Sequence, residues 1–299
     1  MDAPTLSEVL GKWSADLPWI LTAAVSIGWY ARAFSRARAI GCPHAASRLW
    51  AFCAGVLLAL VAVISPIEHY GNQLLWVNFT GFLLLTMIAP ALILLGAPLT
   101  LAFRVSNSRG RRRLRSFYRH PAVAAFTFPV FTWMLFAVVT YLWQFTALAD
   151  RAAENVFVRD FQQLTSLAVG LLFWLPAIAS DPIRWRLPYP LRALYVFVEM
   201  THKGLFGGMF LSMNTAMHDG FARNLPAWGP EAITDQRIAI LILWIGGNLV
   251  FLVGLVGIVV RWMQYEKRNQ HRTDWRLKLQ REAAERKRRA LDQVFTKGV

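Results

Sequence analysis

The sequence predicts an all-α, polytopic membrane protein with seven transmembrane helices, an N-terminus outside and a C-terminus in the cytoplasm. Seven long apolar stretches predict the spans, and the alternating positive charge of the segments between them predicts the orientation. Composition agrees, because 56% of the 299 residues are hydrophobic and only 16% are charged. Soluble domains usually carry about 25% charged residues. The mean hydropathy is +0.38.

A membrane helix needs about 20 mostly apolar residues. Such stretches lie near residues 17–35, 49–66, 74–102, 122–145, 157–179, 191–217 and 238–261. Pro90 and Pro98 interrupt the third stretch and Pro129 the fourth, which membrane helices tolerate. We therefore expect a short extracytoplasmic tail over residues 1–16, followed by one transmembrane domain over residues 17–261.

The distribution of Lys and Arg sets the predicted orientation. The first, third and fifth connections and the final tail are basic, whereas the second has no Lys or Arg and the fourth and sixth have few. The basic connections carry Arg32, Arg36, Arg38, Arg48, Arg104, Arg109, Arg111, Arg112, Arg113, Arg115, Arg119, Arg184, Arg186 and Arg192. Cytoplasmic loops carry the excess of positive charge, which places these connections on the cytoplasmic side of the membrane.

Residues 262–299 form a basic cytoplasmic tail that reads as an amphipathic helix from about 270 to 296. Its apolar stripe consists of Trp275, Leu279, Ala283, Ala290 and Val294. Such helices usually lie on the lipid surface, and docking on a partner subunit is the alternative. The net charge of +15 is confined to segments between apolar stretches. We therefore expect anionic lipid, and no nucleic acid, at the basic loops and tail.

The sixth apolar stretch contains charged residues, which are costly inside a membrane. Glu199 and Lys203 are four residues apart with the acid first, the favourable order for an intrahelical ion pair. The pair either neutralises two buried charges or forms part of a proton or cation relay.

The same stretch also offers candidate ligands for Cu(I), since imidazole and thioether groups suit that ion. His202, Met209, Met213 and Met217 would share one face of a continuous helix. At ~1.5 Å per residue this ladder climbs over about 20 Å, so one ion would contact only an adjacent pair. Ordinary core packing by methionine is the alternative. We expect no disulfide or zinc site from Cys42 and Cys53, which form no CxxC motif.

Four stretches resemble the CtaG-type cytochrome c oxidase assembly factors, a bacterial seven-span family linked to haem–copper oxidases. They lie within about residues 65–245 and read SPIEHYG, LLLTMIAPALILLGAPLTLAFR, GLLFWLPAIASDPIRWRLPYPLR and AWGPEAITDQRIAILILW. The resemblance implies a seven-span fold, a role in oxidase assembly and oxidase subunits as partners.

The family's proposed copper ligands do not carry over to this chain. Its third span typically begins with an H-M-x-x-H pattern, where this sequence has Asn78 and Phe82. Its fifth and sixth spans bring further histidines, and Arg159, Gln163 and Lys203 stand in those places. Phe has no lone pair and Arg stays charged, so neither replaces a histidine ligand. The resemblance therefore implies a degenerate member without the usual histidine site.

Three hypotheses follow. The first is an assembly factor for a haem–copper oxidase, acting without the family's usual copper site. The second is a stable accessory subunit of a respiratory or other membrane complex, and the third is a small-solute transporter. No hydrolase, zinc-protease or nucleotide-binding motif is present in the sequence, so we do not expect an enzyme. We expect no cofactor either, with Cu(I) at the methionine ladder as the alternative.

Overall fold

The structure is a computed structural model that describes residues 4–181 and 184–296. These residues form sixteen α-helices and two π-helical segments, and no strand occurs among them. In chain order they are α1 (Leu6–Leu10), α2 (Leu17–Ala39), α3 (Ala46–Ile64), α4 (Pro66–Gly71), α5 (Leu75–Leu83), the first π segment (Leu84–Ile88), α6 (Ala89–Leu95), α7 (Pro98–Val105), α8 (Ser108–Arg119), α9 (Pro121–Phe126), α10 (Pro129–Gln144), α11 (Leu148–Glu154), α12 (Val156–Ile178), α13 (Tyr189–Leu211), α14 (Asp219–Asn224), α15 (Ala232–Leu241), the second π segment (Ile242–Gly246) and α16 (Gly247–Thr296).

The all-α prediction is confirmed, and several helices suit a membrane. Among the described residues, four helical stretches are long and apolar enough to cross one: Ala46–Ile64, Leu75–Val105, Val156–Ile178 and Ala232–Gln270. Helices α10 and α11, bent by 63° at their junction, make a fifth if the pair is one span. The other two predicted spans coincide with α2 and α13, which are 23 residues long but less apolar.

The predicted third span is bent where its prolines lie. Pro90 has no N–H to donate to the carbonyl of Thr86, four residues earlier. The first π segment lies at this point, just before Pro90. Farther along, Ala97 adopts a left-handed conformation with φ of 53°, and Pro98 begins α7. The span is therefore a series of short helices rather than one straight rod.

Helix α6 packs closely between α3 and α12 because glycines face it on both sides. A Cβ on Gly55 would lie 2.7 Å from the backbone nitrogen of Ile93. One on Gly170 would lie 2.7 Å from Pro90 Cγ and 2.4 Å from the oxygen of Thr86, in the π segment just before α6. Real Cβ atoms essentially never come that close, so both positions require glycine for this packing.

Two buried aspartates join distant segments by capping helices. Asp235 accepts hydrogen bonds from the backbone N–H groups of Leu75 at 2.8 Å and Trp76 at 3.2 Å, at the start of α5. Asp181 accepts from the N–H and the hydroxyl of Thr100, both at 2.7 Å, at the start of α7. Each carboxylate thus satisfies helix N–H groups that have no partner within their own helix.

The chain divides into two compact units, Met1–Leu255 and Val256–Val299. The predicted tail helix is present, because α16 continues to Thr296. The side chains of Ala290 and Val294, part of the predicted stripe, lie outside the described residues, as do residues 1–3, 182, 183 and 297–299.

Candidate functional site

A polar pocket of about 40 Å³ lies where α3, α4, α5 and α12 meet. Four of the residues that line it are Asn78 and Phe82 of α5 and Arg159 and Gln163 of α12. Each pair is one helical turn apart, so both members face the same side of their helix. The structure therefore brings together, in one pocket, four positions where the resemblance would place histidines.

An ion pair closes one side of the polar pocket. The Arg159 guanidinium lies 2.9 Å from a carboxylate oxygen of Glu68 on α4, and both side chains are largely buried. The Asn72 amide also donates to Glu68, at 3.4 Å. Glu68 belongs to no ligand or catalytic motif that the sequence would reveal. The available signal was an acid just after the helix-starting Ser65 and Pro66, in a connection without positive charge.

The rest of the polar pocket is neutral and incompletely hydrogen-bonded. The buried atoms Asn78 Oδ1, Gln162 Nε2, Gln163 Oε1 and Ser166 Oγ have no hydrogen-bond partner within the described chain. Buried polar groups without a partner are costly, and a water needs ~10–15 Å³ of such space. The volume of about 40 Å³ therefore suits a few waters or a small hydrogen-bonding group.

This lining does not fit copper. Phe82 offers no lone pair, Arg159 is paired with Glu68, and carboxamides such as Gln163 are poor ligands for a soft ion. Among the described residues, no group of three or more His, Cys, Asp or Glu side chains is arranged to hold a metal ion. The polar pocket is instead built for hydrogen bonding.

A second buried polar group lies on α13, where Glu199 and Lys203 are 1% and 6% exposed. The expected ion pair between them is not formed. The closest described partner of the Glu199 carboxylate is His202 Nδ1 at 3.5 Å. Lys203 Nζ instead lies 5.3 Å from the ring centre of Phe136 and 5.5 Å from that of Phe251. The long lysine stem carries the ammonium onto two aromatic faces, a favourable cation–π arrangement.

The methionine ladder is not a helical face. Helix α13 ends at Leu211, so Met213 and Met217 lie beyond it. The Ser212 hydroxyl donates to the Met209 carbonyl at 2.7 Å, and the Met217 N–H donates to the Gln236 side chain at 2.7 Å. Neither Met213 nor Met217 therefore continues the helical face that holds His202 and Met209. His202 remains inside α13 among aromatic rings, with Trp133, Tyr141 and Phe206 at 5.0 to 5.3 Å.

His218, just before α14, is buried against the end of α10 and against α11. One ring nitrogen lies 3.0 Å from the carbonyl oxygen of Gln144, and the other lies 3.8 Å from an oxygen of Asp150. Burial lowers the pKa of His218, while the Asp150 carboxylate acts in the opposite direction. His218 lies 74 positions after Gln144, so this contact leaves no local pattern in the sequence.

Comparison with known proteins supports the resemblance. Residues 28–265 match the family model described as cytochrome c oxidase caa3 assembly factor. The chain is 30% identical over 281 residues to uncharacterized proteins of Mycobacterium bovis and Mycobacterium tuberculosis, covering 91% of this chain and 42% of each relative. A Mycobacterium leprae protein is 29% identical over 280 residues, with the same shares. The chain thus spans less than half the length of these curated relatives. No solved structure matches it.

Proposed function

This chain belongs to the cytochrome c oxidase caa3 assembly factor family, and we propose that it assists assembly of a haem–copper oxidase without a copper site at the family's histidine positions. The observation that carries this proposal is the lining of the polar pocket. Asn78, Phe82 and Gln163 line it, and Arg159 beside them is bound to Glu68. A pocket of amides, a phenyl ring and an ion pair holds hydrogen-bonding groups rather than Cu(I).

We propose that the factor acts by binding an oxidase subunit during assembly. The unsatisfied groups Asn78 Oδ1, Gln163 Oε1 and Ser166 Oγ offer hydrogen bonds to a polar group of a partner, or to waters that bridge to it. Because Arg159 and Glu68 neutralise each other, the pocket favours a neutral group over an ion.

A resident accessory subunit is the second candidate. The 50-residue helix α16, whose C-terminal part is strongly basic, favours it, because such a helix offers a long docking element. A solute transporter has less support. The third span is broken near its prolines, which would favour it, but the Glu199–Lys203 ion pair that would also favour it is not formed.

For the membrane arrangement we propose seven spans in a bacterial inner membrane, with the N-terminus outside and the C-terminus in the cytoplasm. The alternation of arginine-rich and arginine-poor connections supports this orientation. Counting α2, α13 and the bent α10–α11 pair as spans gives seven, since α2 and α13 at ~1.5 Å per residue exceed the ~30 Å apolar core. The basic loops would face anionic lipid.

The test is affinity purification of the full chain from its native membrane in mild detergent, with partner stoichiometry measured by quantitative mass spectrometry. Substoichiometric, immature oxidase would support the assembly factor, and mature oxidase at about one-to-one would support the accessory subunit. Absence of every oxidase subunit would contradict both.

A deletion strain separates copper delivery from subunit binding. We expect oxidase activity to fall and to stay low when copper is added to the medium. Full rescue by copper would contradict a copper-independent role. Wild-type chain restored on a plasmid is the positive control, and Arg159→Gln, which unpairs Glu68, should rescue less well than wild type.

A further inference from the structure

A second, larger cavity of about 540 Å³ lies between α7, α8 and the connections after α2 and α12. Three guanidinium groups line it, those of Arg104, Arg111 and Arg186, together with Phe103 and Thr100. We call this cavity the arginine pocket. Its volume lies within the ~300–1,000 Å³ typical of ligand sites.

The positive charge of the arginine pocket is not neutralised within the described chain. None of its three arginines has a carboxylate within 4 Å among the described residues. Asp181 also lines the cavity, but its oxygens accept hydrogen bonds from Leu99 and Thr100 at the start of α7. Burial also raises the pKa of Asp181. A net excess of positive charge therefore faces the cavity.

Two of the three guanidiniums are held in place by neutral groups. Arg104 Nη1 donates to the Pro43 carbonyl at 2.9 Å and lies 3.3 Å from His44 Nδ1. His44 Nε2 lies 3.0 Å from the Gly96 carbonyl, so the ring donates on that side and accepts from Arg104 on the other. Arg111 donates to the backbone carbonyls of Ser106 at 3.0 Å and Arg104 at 3.4 Å.

These contacts orient the arginines without cancelling their charge. Burial lowers the pKa of His44, so its ring stays neutral at physiological pH and does not repel the Arg104 guanidinium. An arginine already held in place loses less side-chain freedom when it binds. Planar guanidiniums also match the oxygen spacing of carboxylates and phosphates, and several together favour a multiply charged anion.

We propose that the arginine pocket binds a phosphate-bearing anion. Phospholipid headgroups and soluble phosphates share this chemistry. Aromatic side chains beside the pocket favour a lipid: Phe103 contacts Tyr118 at 6.1 Å between ring centres, and the neighbouring Phe117 is 59% exposed. An exposed aromatic on a basic helix is typical of a membrane interface. This inference does not depend on any role in oxidase assembly.

The test uses the full chain in nanodiscs of phosphatidylcholine with or without phosphatidylglycerol, and native mass spectrometry of the lipid retained on release. We expect selective retention of phosphatidylglycerol, and about a tenfold loss of the retained lipid in the Arg111→Gln/Arg186→Gln double variant, because that variant removes two of the three guanidiniums that would bind the phosphate. The double variant leaves Arg104 unchanged, because the contacts of Arg104 with Pro43 and His44 also hold α7 to the connection after α2.

The matched control is Arg112→Gln/Arg115→Gln, which removes the same charge from α8 at positions that do not line the pocket. Calorimetric titration with inorganic phosphate shows whether the ligand is a soluble phosphate or a lipid headgroup. If inorganic phosphate binds, and the pocket variant loses this binding while the control keeps it, the proposal stands and the ligand is a soluble phosphate. Equal losses in both variants, or no binding of either probe, would overturn it.

Discussion

At the scale of single residues, two buried carboxylates connect distant segments of the chain, and both lie in stretches that carry the family resemblance. Asp181 lies in the SDPIR stretch and caps the helix that begins in GAPLTL, 81 residues earlier. Asp235 lies in AITDQRI and caps α5, 160 residues earlier. A sequence pattern does not reveal such pairs, because the bond depends on where the chain returns. The structure thus gives these two aspartates a physical role that motif reading left open.

The first prediction concerns these caps. Asp235→Ala should lower the free energy of unfolding by about 1–3 kcal/mol, because it leaves two buried helix N–H groups without acceptors. Thermal unfolding of the purified chain in detergent would measure the loss. Asp160→Ala is the control, since Asp160 accepts no hydrogen bond from a helix start among the described contacts. Equal melting temperatures for both variants would show that the cap contributes nothing.

The second prediction concerns His218 and pH. Burial lowers its pKa below the usual ~6.5, so the folded chain favours the neutral ring and the unfolded chain takes up the proton first. The stabilisation is therefore complete above about pH 6.5 and is lost as the pH falls below that value. We expect the melting temperature to drop between pH 7.5 and 5.5, and to drop less in His218→Gln. His44 is present in the wild type and in the variant, so its titration contributes equally to both. Parallel plots of melting temperature against pH for the two proteins would contradict the prediction.

At the scale of helices, the apolar pattern located both ends of the fifth span but only the start of the sixth. The fifth span, predicted over 157–179, is α12 at Val156–Ile178. The sixth, predicted over 191–217, stops at Leu211. Met213 and Met217 extend the apolar pattern, while the polar run Ser212, Asn214 and Thr215 is the stop signal that hydropathy averages out. Helix ends depend on local hydrogen bonds, and averaged hydropathy does not include them.

The third prediction concerns the packing of α12 on α6. Gly170→Ala should destabilise the chain by about 1–3 kcal/mol, because its Cβ would lie 2.4 Å from the Thr86 oxygen. Gly28→Ala in α2 is the matched control, since nothing lies within 4 Å of its Cβ position. That control should be neutral or gain about 0.5–1 kcal/mol from better helix propensity. Thermal unfolding of both variants would measure this, and a stable Gly170→Ala variant would mean that α12 sits farther from α6.

At the scale of the whole molecule, the resemblance located the polar pocket and the physics of the sequence did not. Asn78 and Arg159 are 81 positions apart, and neither periodicity nor charge relates them. Only the alignment with the family's histidine positions linked these residues before the structure placed them in one pocket. The arginine pocket and the partner of Arg159 needed the structure, because basic loops look alike in a sequence whether their charges face lipid, a partner or a cavity.

The last prediction uses a native thiol to test the orientation of the whole chain. Cys42 is exposed in the connection between α2 and α3, and Cys53 is partly buried in α3. The positive-inside pattern places Cys42 in the cytoplasm. In a Cys53→Ser background, a membrane-impermeant maleimide should therefore label Cys42 in inverted vesicles and not in intact cells.

A cysteine on the opposite side provides the control. Ser14 is exposed just before α2, so Ser14→Cys in a cysteine-free background should be labelled in intact cells. Because α2 alone separates the two positions, opposite labelling also shows that α2 crosses the membrane, although it is less apolar than the four clear spans. Labelling of both cysteines from the same side would remove α2 from the spans. It would also break the alternation on which the predicted orientation rests.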